Sequence, residues 1–144
     1  MKMYKYTGSG LDGIFLKNGY TIVETSYGQG VKIEDIDGLH RAIAVDIIRQ
    51  KTPMNGRQFR FLRKEQDLIQ EEVAAIFRVD VQTIANWEKR GAQEIPGPAD
   101  VAMRAFYAAT FMQTLARLCL NRTPSPMRAR HLRWMDLNGK SLSS

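Results

Sequence analysis

The stretch FRFLRKEQDLIQEEVAAIFRVDVQTIANWEKR, Phe59 to Arg90, decides the fold. Phe59, Leu62, Leu68, Val73, Ala74, Ile76, Val79, Ile84 and Trp87 recur at spacings that let short helices turn them toward one core. Ala74 is small where two short helices must cross closely. The pattern predicts helices over about Gly56 to Gln66, Gln70 to Phe77 and Val81 to Lys89. Asn55 with Gln58 three residues on reads as a capping box opening the first of them. Asp80 caps the third, so Val81, Gln82 and Thr83 project from an end whose free amides and dipole favour a phosphate. A helix presented in that way is suited to a DNA major groove.

Downstream, Ile95-Pro-Gly-Pro-Ala-Asp100 leads into a long helix expected from Pro98 towards Asn121. Val101, Phe106, Tyr107, Phe111, Met112, Leu115 and Leu118 give it more apolar surface than its own domain can bury, so part of it is expected to form a homodimer interface. Thr123-Pro-Ser-Pro126 breaks that helix. Met127 to Leu137 reads as a short basic helix within a basic tail, residues 122–144. Arg122, Arg128, Arg130 and Arg133 interleave there with Met127, Leu132 and Trp134, a composition open to a solvated end, a DNA arm or a docking helix.

Upstream, residues 1–52 read as a small α+β domain, joined by a linker at Lys51 to Gly56 to a helical domain over residues 53–121. Asn18-Gly19 is the dipeptide of a type I′ turn and predicts a hairpin between Gly13 to Lys17 and Tyr20 to Thr25. Gly28 and Gly30 are expected to break the pattern before a third strand at Val31 to Ile33, with Tyr4 to Thr7 a candidate fourth. Ile36, Leu39, Ile43 and Ile47 then fall on one stripe of a helix able to cover the sheet and ending near Lys51, before Thr52-Pro53. The fold class is therefore α+β: a small antiparallel sheet with a helix, followed by an all-α domain with a long carboxy-terminal helix.

Of 144 residues, 21 are Lys or Arg and 15 Asp or Glu, a net charge of +6. Residues 1–52 carry +1, residues 53–111 are neutral and residues 112–144 carry +5. A basic chain favours polyanionic partners, and placement rather than sum decides phosphate contact: Arg57, Arg60, Arg63 and Lys64 cluster on one predicted helix. No window approaches a membrane span and the amino terminus lacks a signal-peptide core, so a cytoplasmic protein without membrane contact is expected. One cysteine, Cys119, and two separated histidines, His40 and His131, predict neither a disulfide framework nor a metal site, and no cofactor.

Candidates for chemistry are few. His40 reads as a surface or satisfied structural histidine, and Glu34, Asp35 and Asp37 as the acidic start of a helix. Gly28-Gln-Gly30 precedes a strand and so lacks the context of a phosphate loop. No Ser/His/Asp arrangement is present, and an enzyme is not expected.

Over roughly residues 56 to 107 the chain resembles the Xre/Cro-type helix-turn-helix family. The family's Leu-x-Gln-x-x-Val/Ala-Ala pattern corresponds to Leu68, Gln70, Val73 and Ala74, and its Trp-Glu ending to Trp87 and Glu88. The resemblance implies that Val81, Gln82 and Asn86 face base edges, that Gln70, Thr83, Lys89 and Arg90 lie at phosphates, and that Arg63 and Glu88 form a structural ion pair. Gln and Asn can pair bidentately with adenine, and Val81 can touch a thymine methyl. Two positions depart from the pattern. Ile69 stands where relatives carry a capping side chain, which forgoes roughly 0.5 to 2 kcal/mol. Arg78 stands where Gly is usual, which implies a non-glycine residue at positive φ or an altered turn.

The amino-terminal runs Tyr4-x-Tyr6, Gly10 to Tyr20 and Asp37 to Ile43 are similar to small antitoxin-like regulators related to the MqsA family, though without that family's zinc ligands. The two resemblances together imply a dimeric repressor of double-stranded palindromic DNA, with recognition helices about one turn (~34 Å) apart. In its most concrete form it is an antitoxin that binds a toxin through the amino-terminal domain and represses its own operon. The alternatives are a stand-alone transcriptional regulator, and a protein-interaction module whose helical domain only dimerises.

Overall fold

The computed structural model describes residues 3–121, with side chains to residue 118. The expected break after the last helix, the short basic helix, the basic tail and His131 lie outside the described residues, as does the side chain of Cys119. The elements follow as β1 (Tyr4–Lys5), β2 (Phe15–Leu16), β3 (Tyr20–Thr25), β4 (Gly28–Ile33), α1 (Ile36–Arg49), α2 (Gly56–Glu65), α3 (Gln70–Phe77), α4 (Val81–Lys89) and α5 (Gly97–Asn121). The class is α+β. The chain divides into two compact units, Met1–Ala108 and Ala109–Ser144, and the sites below all belong to the first.

The strands pair differently from the hairpin expected at Asn18-Gly19. β2 pairs antiparallel with β1, Tyr4 opposite Leu16, and β3 pairs with β4, Thr25 opposite Gly28, in two separate two-stranded sheets. The tight turn is therefore Ser26-Tyr27, closed where the Thr25 hydroxyl donates to the Gly28 carbonyl at 2.7 Å. Gly28 takes φ 118°, a value that side-chain-bearing residues rarely adopt, so this glycine completes the hairpin instead of breaking the strand. Gly19 lies at the open end of the ribbon, where its carbonyl accepts from the Glu34 N–H.

In α1 the Asp35 carboxylate accepts from the Gly38 N–H at 2.9 Å, and Ile43, Ala44 and Ile47 are buried. Ile36, expected on the same stripe, is half exposed at the first turn. α1 packs on α2, and its His40 also meets Tyr6, just after β1. At the other end of α1, Arg104 of α5 donates to the carbonyls of Ile47, Ile48, Gln50 and Thr52 at 2.8–3.2 Å, while Asp100 holds its Nε at 2.5 Å. A guanidinium at the negative end of a helix satisfies carbonyls that have no partner within it.

Asn55 and Gln58 form the capping box at the start of α2, with both reciprocal bonds at 2.9–3.0 Å. Phe59, Leu62, Val73, Ala74 and Ile84 build the core with Met54, Phe61, Ile95, Ala99, Met103 and Tyr107. Ile76, expected in that core, is 46% exposed. The buried stripe of α3 is centred on Val73, Ala74 and Phe77, and Ile76 falls about 110° away at 100° per residue. Edge-on ring contacts of Phe59 with Phe77 and Trp87, and of Phe77 with Phe106, join α2 to α5.

Candidate nucleic-acid interface

Three residues, Arg78-Val79-Asp80, separate α3 from α4. Arg78 adopts φ 55°, ψ 45°; its N–H donates to the Ala75 carbonyl at 3.3 Å, and the Val79 N–H to that of Ala74 at 3.0 Å. This is the Schellman arrangement, with arginine in the left-handed position that glycine usually fills. The same bond pattern ends α2 at Asp67, φ 54°, where Leu68 and Asp67 donate to Arg63 and Lys64. Asp tolerates this conformation better than most residues, a signal the sequence carried at Asp67.

Ile69 offers no side-chain cap to α3. Its own N–H is instead satisfied by the Glu72 carboxylate at 2.9 Å, which is half of a capping box. Asp80 caps α4 by accepting from the Gln82 N–H at 3.4 Å.

Ile84 buries the inner face of α4, which leaves Gln82, Asn86, Lys89 and Arg90 exposed while Val81 and Thr83 are half-buried. Gln82 Nε2 donates to Asn86 Oδ1 at 3.0 Å across one helical turn. The pair retains the Asn86 NH₂, one Gln82 N–H and the Gln82 Oε1 for a partner in front of the helix. Arg90 donates to the Glu94 carbonyl at 2.9 Å.

Behind this face, Arg63 Nε and Nη2 meet the two Glu88 oxygens at 2.6 and 3.1 Å, and Arg63 Nη1 donates to the Leu68 carbonyl at 2.7 Å. Gln70 Nε2 also donates to Glu88, at 2.8 Å. Gln70 is thus part of the polar cluster joining α2, α3 and α4, half-buried with one amide hydrogen engaged inward.

Elsewhere in the unit, His40 is bonded at both ring nitrogens, to Tyr6 Oη and to Glu65, each at 2.7 Å, with its ring edge-on to Phe61. This Tyr6-His40-Glu65 chain has no local signature in the sequence, since its members are 25 and 34 residues apart. Burial, then the Glu65 carboxylate and Tyr4, push the Tyr6 phenol above its ordinary range. An open apolar groove of about 440 Å³ lies between α3, α4 and the start of α5, with Ile76, Trp87 and Phe106 on its walls. Among the described residues no three His, Cys, Asp or Glu side chains group as metal ligands, and no helix is long and apolar enough to cross a membrane.

No protein-family model, curated protein or solved structure matches this chain.

Proposed function

We propose that the chain is a sequence-specific DNA-binding transcriptional repressor of the Xre/Cro helix-turn-helix type, acting in the cytoplasm as a homodimer on a palindromic operator. One observation carries the reading. Gln82 and Asn86 stand exposed and mutually hydrogen-bonded on the outer face of a short helix, which enters after a three-residue turn and is braced from behind by Arg63 and Glu88. Carboxamides so presented match the donor and acceptor edge of adenine in the major groove, and Val81 beside them suits a thymine methyl. Thr83, Lys89 and Arg90 flank that face and suit phosphate, as does the Gln70 amide at the start of α3. The most concrete form is an antitoxin that represses its own operon, an extension supported only by the sequence resemblance of the amino-terminal runs to MqsA-type regulators.

Fluorescence anisotropy on the gene's own upstream DNA and on a shuffled duplex, each at two salt concentrations, tests the proposal. Tight binding confined to the upstream duplex is expected. Equal, steeply salt-dependent binding to both would reduce the chain to a phosphate binder, and binding to neither would favour an interaction module.

A further inference from the structure

We infer that Arg57 is a ligand for a nucleic-acid phosphate and that Asp12 occupies its guanidinium until phosphate displaces it, an inference that rests on the DNA-binding reading above. Arg57 lies in the first turn of α2, and its N–H donates to the Gly91 carbonyl at 3.0 Å. A Cβ built on Gly91 would stand 3.8 Å from Arg57 Nε, so this side chain passes beside the end of α4. Along α4 and its C-cap Arg90, the residues Gln82, Asn86, Lys89 and Arg90 recur at four, seven and eight residues and share one exposed stripe. Arg57 adds a cation beside the carboxy-terminal end of α4 from a second element.

The two arginine ion pairs of α2 differ in the property that matters. The Arg63 side chain is 11% exposed and held by both Glu88 oxygens, so it is committed to the fold. The Arg57 and Asp12 side chains are 44% and 77% exposed, and a single contact from Nη1 to Oδ2 joins them. Asp12 is carried on the connection between β1 and β2, between buried Leu11 and Gly13 at φ 77°. An exposed pair of this kind is worth little, so exchanging one anion for another requires little free energy. A phosphodiester offers the same charge with two anionic oxygens, which a guanidinium can take in parallel. Asp12 therefore acts as a resident competitor supplied by the amino-terminal strands.

The test is a double-substitution cycle on the full chain, read by anisotropy on labelled upstream and shuffled duplexes between about 50 and 200 mM salt. Asp12→Asn is expected to tighten binding to both duplexes roughly two- to fivefold, the scale of an exposed ion pair. Arg57→Gln is expected to weaken binding and to reduce the slope of log affinity against log salt by about 0.9, whereas Arg57→Lys keeps the slope. In the Arg57→Gln background, Asp12→Asn should have no effect. Tightening of equal size with and without Arg57 would be a general charge effect and would overturn the inference alone. So would an Arg57→Gln variant with unchanged affinity and slope. A wild-type chain that binds neither duplex overturns the DNA-binding reading and this inference with it.

Discussion

Glu88 of α4 holds Arg63 of α2 through both of its carboxylate oxygens, with the two side chains 6% and 11% exposed. The pair is nearly enclosed, and Arg63 also fastens the Leu68 carbonyl ahead of α3. One guanidinium therefore ties α2, α4 and the turn ahead of α3 together, and it cannot serve phosphate at the same time.

Removing Arg63 leaves the Glu88 carboxylate buried with only Gln70 as a partner. Arg63→Met is expected to destabilise the chain by about 3–5 kcal/mol, and the double variant Arg63→Met/Glu88→Leu by clearly less, since no uncompensated charge remains. Denaturant unfolding of the two variants checks the ordering. Equal losses in both would show that packing rather than charge dominates the site.

Gly56 answers a different demand. A Cβ at this position would stand 2.3 Å from the Trp87 carbonyl and 3.1 Å from that of Glu88, where the start of α2 meets the end of α4. Backbone cannot yield as a flexible side chain can, so Gly56→Ala is expected to cost roughly 1–3 kcal/mol despite alanine's better helix propensity. Thermal melting measures the loss, and a variant as stable as wild type would show that the helices separate without penalty.

These two positions show what was legible in the sequence and what was not. The helices of residues 56–89 could be placed because two of their starts are chemically marked, by Asn55 with Gln58 and by Asp80, whereas Arg78 hides the left-handed turn that a glycine would have announced. Local signals were sufficient at those two starts. The strand pairing is not decided locally: Asn18-Gly19 and Ser26-Tyr27-Gly28 both carry turn chemistry, and only long-range pairing of β1 with β2 chooses between them. Arg104, which reaches across more than fifty residues to cap α1, has no local signature at all. The same holds for Asp12 on Arg57: each is an ordinary surface residue until the fold brings them together.

Arg78 holds a left-handed conformation that costs a residue with a Cβ roughly 1–2 kcal/mol. Arg78→Gly relieves it, offset in part by the larger entropy of glycine in the unfolded chain. A net stabilisation of about 0.5–1 kcal/mol is expected, read by denaturant midpoint. A destabilised variant would mean that the arginine side chain contributes more than its backbone strain removes.

Two phenols are expected to contribute to the alkaline limb of stability. Tyr6 is raised above 10.0 by burial, then by the Glu65 carboxylate and Tyr4; Tyr107 is raised by burial and Glu65, against an opposing Arg41. A raised folded-state pKa means that the folded chain holds the proton more firmly. The associated stability is intact below pH 10 and is lost as pH rises through the folded values. Melting temperatures followed from about pH 9 to 12 should fall along this limb, and Tyr6→Phe or Tyr107→Phe should each flatten it. An identical limb in both variants would assign the decline to other groups.

The exposed face of α4 makes the most direct demand on the proposed function. Gln82 and Asn86 are outside the core and bonded to one another, so Gln82→Ala and Asn86→Ala should leave the melting temperature nearly unchanged. If they read bases, each should remove roughly 1–3 kcal/mol of discrimination between the upstream and shuffled duplexes. Lys89→Ala belongs to a different class: it should weaken both duplexes alike and lower the salt slope by about one. Because Gln82 and Asn86 share a hydrogen bond, their effects should not add, and the double variant measures that coupling. Selectivity retained in the double variant would remove these two residues from the reading surface, whatever the affinity that Lys89 and its neighbours supply.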